Sequence, residues 1–147
     1  MTGKQPKRKK RPGVDEYGRT PLHYAAAEGR GDEVIRLLAA GANPNAQDDN
    51  GWSPLHFAAQ AVSPGATEAL LVAGADTKLR DSFGNTALSS AVFASRGDGS
   101  VIELLRRAGA DPHAANSSGV TPLGLARTTG NYNVAQFFSD LPEGGEG

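Results

Sequence analysis

The side chains best equipped for chemistry in this sequence are three histidines, two pairs of adjacent acids and one dense run of cations. His23 and His56 could serve as an acid–base pair or hold a metal together, since neutral imidazole suits both tasks. His113 stands alone in a turn beside Pro112, and one histidine makes no site. Asp15–Glu16 and Asp48–Asp49 set two carboxylates side by side, yet each first acid also opens an Asp-x-x-Gly turn. Gly97-Asp98-Gly99 lacks the lysine and the strand–helix context of a phosphate loop and reads as a flexible insertion. Asn116-Ser117-Ser118 matches a glycosylation sequon, which means something only in a secreted chain. Cysteine is absent, which removes disulfides, thiolate zinc sites and cysteine nucleophiles together. No nucleophile is paired with a base, so the expectation is a protein without catalysis, cofactor or metal.

Charge is unevenly distributed. Six of the fifteen basic residues fall between Lys4 and Arg11, and no acid precedes Asp15. The remainder sets nine basic residues against sixteen acids, a formal charge of −7. The run Lys4–Arg11 would bind nucleic-acid phosphates weakly, non-specifically and in a salt-dependent way. It equally suits a nuclear address or a disordered solubilising leader, and a further reading is a tail that folds back on the acidic domain and masks its concave face. No aromatic residue interleaves with these cations, so base stacking and sequence-specific recognition are not expected. No apolar run reaches the roughly 18 residues of a membrane span, and no apolar segment of a secretory signal follows the cations. A cytoplasmic location is expected, or a nuclear one if the chain is eukaryotic.

The elements that must position these residues come from an internal repeat. TPLHYAA begins at Thr20, SPLHFAA at Ser53, TALSSAV at Thr86 and TPLGLAR at Thr121, at spacings of 33, 33 and 35 residues. GANPN from Gly41, GADTK from Gly74 and GADPH from Gly109 recur in step. DEYGR from Asp15, DDNGW from Asp48, DSFGN from Asp81 and NSSGV from Asn116 precede the first marker each time. Three markers sharing one period define a repeat architecture.

Each unit has a physical reading. The Asp-x-x-Gly segments are turns. Thr20, Ser53, Thr86 and Thr121 stand where a helix N-cap is wanted, with Pro21, Pro54 and Pro122 at the first helical position. A break at Gly29, Pro64–Gly65, Gly97–Gly99 and Gly130 leads to a second helix. That helix carries Val34, Ile35, Leu37 and Leu38, then Leu70–Leu71, then Val101, Ile102, Leu104 and Leu105, then Val134, Phe137 and Phe138. Gly41, Gly74 and Gly109 would end it. Apolar residues are 38% of the chain and aromatics only 6%, which suits thin alanine-rich layers better than a wide core. One unit cannot bury its apolar face alone, so four must stack.

The motif D-x-x-G-x-T/S-P-L-H-x-A-A, complete in units one and two, resembles the ankyrin repeat over about residues 14–140. Unit three departs at Ala87, at Ser89 and in two extra residues near Arg96–Ser100. Unit four departs at Asn116 and Gly124, and its second helix is truncated near Leu141. The resemblance implies an all-α solenoid of four helix–turn–helix units with β-turn or hairpin loops, repeats at about 15–47, 48–80, 81–115 and 116–141. A disordered basic tail over 1–13 and a flexible tail over 142–147 would flank it. Unit four would be a C-terminal cap.

The resemblance also assigns roles. The histidines of TPLH, His23 and His56, would hydrogen-bond between adjacent loops rather than act chemically. Together with Thr20, Gly41, Ser53, Gly74, Thr86, Gly109 and Thr121 they would be structural. Loop tips and first helices would form a concave face for a partner protein, carrying Tyr17, Arg19, Glu28, Asp49, Asn50, Trp52, Gln60, Phe83, Asn85 and Phe93. The acid excess would steer association toward a basic partner, or equally serve as a solvated surface that keeps the chain soluble. The implied function is a non-catalytic, monomeric interaction module. An inhibitor or immunity-type protein that sequesters a basic toxin or enzyme, and a nucleic-acid-associated adaptor using the basic tail, are the alternatives.

Overall fold

The computed structural model describes residues 11–130 and 132–142. Most of the expected basic tail and residues 143–147 lie outside the described residues. Within them, α1 (Pro21–Ala27) pairs with α2 (Gly31–Ala39), and α3 (Pro54–Gln60) with α4 (Pro64–Val72). α5 (Ala87–Ala94) pairs with α6 (Ser100–Arg107), and α7 (Pro122–Thr128) precedes a 3-10 helix at Val134–Phe138. No strand forms among the described residues, and the units are joined by turns.

The first helices begin as their sequences dictate. Thr20 and Ser53 are extended at the N-cap and accept from the N–H of His23 and His56, at 3.4 and 3.3 Å. Thr121 accepts from the N–H of Gly124 at 2.9 Å. Thr86 makes no such bond, and its buried hydroxyl has no partner. The outer helices end as Schellman motifs. Gly41, Gly74 and Gly109 take φ of 97°, 95° and 92°, and the next N–H reaches back to the carbonyl of Leu37, Leu70 or Leu105.

Two local readings need correction. The break in unit two does not lie at Pro64–Gly65, because Pro64 is the first residue of α4 and Ser63 is its cap. The reversal falls at Val62, with φ of 51°. The insertion at Gly97-Asp98-Gly99 is an anchored loop. The Asp98 carboxylate accepts from the Ser100 N–H at 2.9 Å, and the Asp98 N–H donates to Ser95 at 2.8 Å. A Cβ on Gly99 would fall 2.2 Å from the Phe137 ring, so glycine leaves the space that this ring occupies.

The core runs along the stack. α3 packs between α1 and α5, α5 also meets α7, and α4 lies between α2 and α6. Leu22, Leu55, Leu88 and Leu123 form a buried column through the first helices, flanked by Ala25, Ala26, Ala58, Ala59 and Ala91. The alanines let helix axes approach closely. Each buried leucine contributes about 2 kcal/mol of transfer free energy. Val34, Leu70, Ile102, Leu105, Val134 and Phe138 carry the core into the outer layer. In unit four, α7 stops where Thr129 turns extended, and the 3-10 helix closes the stack with Val134 and Phe138 inward. Arg106 secures that closure. It donates to Phe137 O at 3.0 Å, pairs with Asp140 at 2.7 Å and stacks on Phe138 at 5.1 Å.

Candidate partner-binding face

Four equivalent tips project from the stack, each built on one side chain. One carboxylate oxygen of Asp15, Asp48 and Asp81, and the amide oxygen of Asn116, accept the N–H groups two and four residues on, at 2.8–2.9 Å. The Asn116 carbonyl-for-carboxylate exchange therefore leaves the turn intact. Each tip is then tied to the preceding one through the backbone. Asp49, Ser82 and Ser117 donate to the carbonyls of Tyr17, Asn50 and Phe83 at 2.9 Å. Gly51 shows how close this approach is, since a Cβ there would lie 2.9 Å from Asp81 Cα. The tip backbones thus form a tethered ladder, and their outward side chains become a periodic surface.

The histidines belong to the scaffold. The Thr20 N–H donates to His23 Nδ1 at 2.9 Å, so Nε2 carries the proton and donates to Trp52 O at 3.0 Å. His56 does the same between Ser53 and Asn85, at 3.1 and 2.9 Å. Both rings are fully buried, and burial pushes both pKa values below the ordinary imidazole range. Among the described residues no three metal-ligating groups converge.

The first two units carry an aromatic platform around one arginine. The Arg19 guanidinium lies 5.1 Å from the Tyr17 ring, 5.9 Å from Tyr24 and 5.2 Å from Phe57. Its Nε donates to Asp48 Oδ2 at 3.0 Å, so the cation is held from below by a buried carboxylate. Trp52 leans on Phe57 at 5.0 Å. Tyr24 closes the cluster by donating its hydroxyl to Asp15. Rings stacked on a fixed cation have little rotamer freedom left to lose, which favours them as contact surface.

The expected site residues differ in how free they are. Phe93 and Phe83 are 79% and 67% exposed, and Tyr17 is 52% exposed. Gln60, Asn50 and Glu28 are also exposed, with Glu28 loosely paired to Arg30 at 3.5 Å. Trp52 is half-buried, and its carbonyl serves His23. Asn85 is half-buried, with its carbonyl on His56 and its side chain accepting from Asn116 Nδ2 at 2.9 Å. Asp49 receives Arg11.

Sequence reasoning passed over Tyr24 and Phe57, which complete the platform. Both fill the variable position of TPLH-x-AA, and reading that column across the units (Tyr24, Phe57, Ser90, Leu125) would have found them. Toward the other end the same surface loses charge. Ser82, Phe83, Ser90, Phe93, Ser117, Ser118 and Val120 present none.

Among the described residues no helix is long and apolar enough to cross a membrane. The family model for ankyrin repeats, three copies long, matches residues 4–81, 22–114 and 55–144. Such repeats are generally protein–protein interaction modules and typically non-catalytic. With these matches covering nearly the whole chain, and with the capped helix pairs and laddered tips described above, the chain belongs to the ankyrin-repeat family.

Proposed function

We propose that the protein is a non-catalytic binder that takes a partner protein across its tips and first helices. The observation that carries this reading is the exposure of Phe83 and Phe93, two large apolar side chains that the stack leaves mostly uncovered. Aromatic side chains presented on a rigid support are the residues that most often anchor interfaces. The Arg19 platform supports the reading at the other end of the same surface. The partner is a protein segment with apolar residues opposite units three and four and cations opposite units one and two.

The formal charge of −7 outside the basic run favours one finer version, in which the partner is a basic enzyme or toxin held inactive. The test is capture from extract of the source cell with the full-length protein and a Tyr17→Ala/Phe93→Ala variant side by side, read by mass spectrometry. One dominant protein lost with the variant supports the reading. Assay of that protein's own activity, with and without the binder, separates an inhibitor from an adaptor. Recovery of nucleic acid alone by both baits would assign the work to the basic tail and refute the face.

A further inference from the structure

Arg11 sets its guanidinium flat against the Asp49 carboxylate, Nη1 to Oδ1 at 2.9 Å and Nη2 to Oδ2 at 3.0 Å, across 38 residues of sequence. Paired parallel bonds of this kind are how guanidinium recognises carboxylate. The carboxylate is held in place from its own backbone. Its own N–H is fixed on the Tyr17 carbonyl at 2.9 Å, and Oδ1 rests where a Cβ on Gly18 would lie only 2.5 Å away. Asp49 therefore sits in the seam between the first two tips, beside Tyr17. The equivalent positions of the third and fourth tips carry Ser82 and Ser117, so no carboxylate stands at this place there. Arg11, Pro12 and Gly13 are all exposed, and none belongs to the core. The pairing thus adds little to folding, and the Arg11 contact lies at the edge of the surface assigned to the partner. Arg11 also ends the run that concentrates six cations in eight positions, against a remainder that is net acidic.

We propose that the Asp49 seam is a guanidinium-recognition subsite, and that the chain's own Arg11 is its tethered occupant until an arginine of a basic partner protein displaces it. The partner in this statement rests on the interface reading above. The occupied seam does not, and it can be tested alone. Tethering keeps the internal arginine at a high effective concentration, so a weak pair still competes with an external one. An exposed ion pair is worth little, so the tethered residue lowers an external ligand's apparent affinity by about three- to fivefold. Salt weakens internal and external pairing together.

The experiment is an NMR titration of the full chain with a synthetic peptide of its own residues 4–11, following the amides of Tyr17, Asp49 and Asn50 at low salt. Arg11→Ala is expected to bind this peptide about three- to fivefold more tightly than the wild type, the size of one exposed ion pair. Adding Asp49→Asn to Arg11→Ala should abolish the shifts centred on the seam while leaving the rest of the spectrum in place. Equal affinities for wild type and Arg11→Ala would show that Arg11 occupies nothing the peptide needs. Undiminished binding by the Arg11→Ala/Asp49→Asn chain would show a diffuse charge attraction and no subsite. Either result overturns the proposal, and neither bears on Phe83 or Phe93.

Discussion

The imidazole of His23 reaches the carbonyl of Trp52, 29 residues away, with Nε2 and O separated by 3.0 Å. The other ring nitrogen of His23 accepts from Thr20 in its own helix cap. One neutral ring therefore closes a helix start and fixes the next tip at once. His56 repeats the link from Ser53 to Asn85. Protonation would place a hydrogen on Nδ1 against the Thr20 or Ser53 N–H and break the cap.

This gives stability a definite pH dependence. Burial lowers both folded-state pKa values below about 6.5, the unfolded value. On acidification the unfolded chain takes up protons first, so the stability is fully present above pH 6.5 and is lost as pH falls toward the folded pKa values. His23→Ala/His56→Ala should cost about 2 kcal/mol per site at pH 7.5 through unpaired cap and carbonyl groups. The same variant should show a flatter stability profile between pH 7.5 and 5 in urea denaturation. A profile as steep as the wild type's would mean that other groups set the acid sensitivity.

The N-caps should respond differently to loss of a hydroxyl. Ser53→Ala removes a bonded cap and should lower stability by about 1 kcal/mol. The Thr86 hydroxyl is buried without a partner, and Ser89 stands where His23 and His56 stand in the earlier units. Thr86→Val keeps the shape and removes the orphaned group, so it should be neutral or raise the melting temperature. A loss as large as that of Ser53→Ala would reveal a bond to Thr86 that the structure does not contain.

Much of this architecture is legible in the sequence, because capping and turn chemistry are local. Thr20, Ser53, Gly41, Gly74 and Gly109 take the roles that their residue types imply, since each bonds within a few positions of itself. What escaped depends on partners distant in the chain. Gly99 gives way to Phe137, Arg106 clamps Asp140, and Arg11 finds Asp49, and no periodicity announces any of the three. Val62 escaped for another reason. Pro64–Gly65 looks like a break, yet proline is favoured at the first helical position, and the left-handed residue was the valine before Ser63.

The closure of the last unit should depend on Arg106. Its side chain spans from α6 to the carbonyl of Phe137 and to Asp140, and Arg106 also holds the Asp140 carboxyl below the usual range. Arg106→Ala should destabilise the stack by about 1–2 kcal/mol, with lost hydrogen-exchange protection concentrated at Val134–Phe138. Protection lost evenly across the four units would show that the last one is not separately secured.

Trp52 and Phe93 should separate packing from binding. Trp52→Ala removes a ring that leans on Phe57, so it should lower stability by about 1–2 kcal/mol. Phe93 is largely exposed, and Phe93→Ala should change stability by less than about 0.5 kcal/mol. Thermal unfolding of the two variants beside the wild type checks both values. A large loss at Phe93 would make it a packing residue.

The most direct test of the account compares the two sides of the stack against one captured partner by calorimetric titration. Val72 on α4 is 84% exposed, as free as Phe93, but it faces the outer layer. Phe93→Ala should weaken binding by about tenfold or more, in keeping with an aromatic anchor, while Val72→Ser leaves the affinity unchanged. Undiminished affinity for Phe93→Ala together with a large loss for Val72→Ser would place the partner on the outer helices and contradict the account.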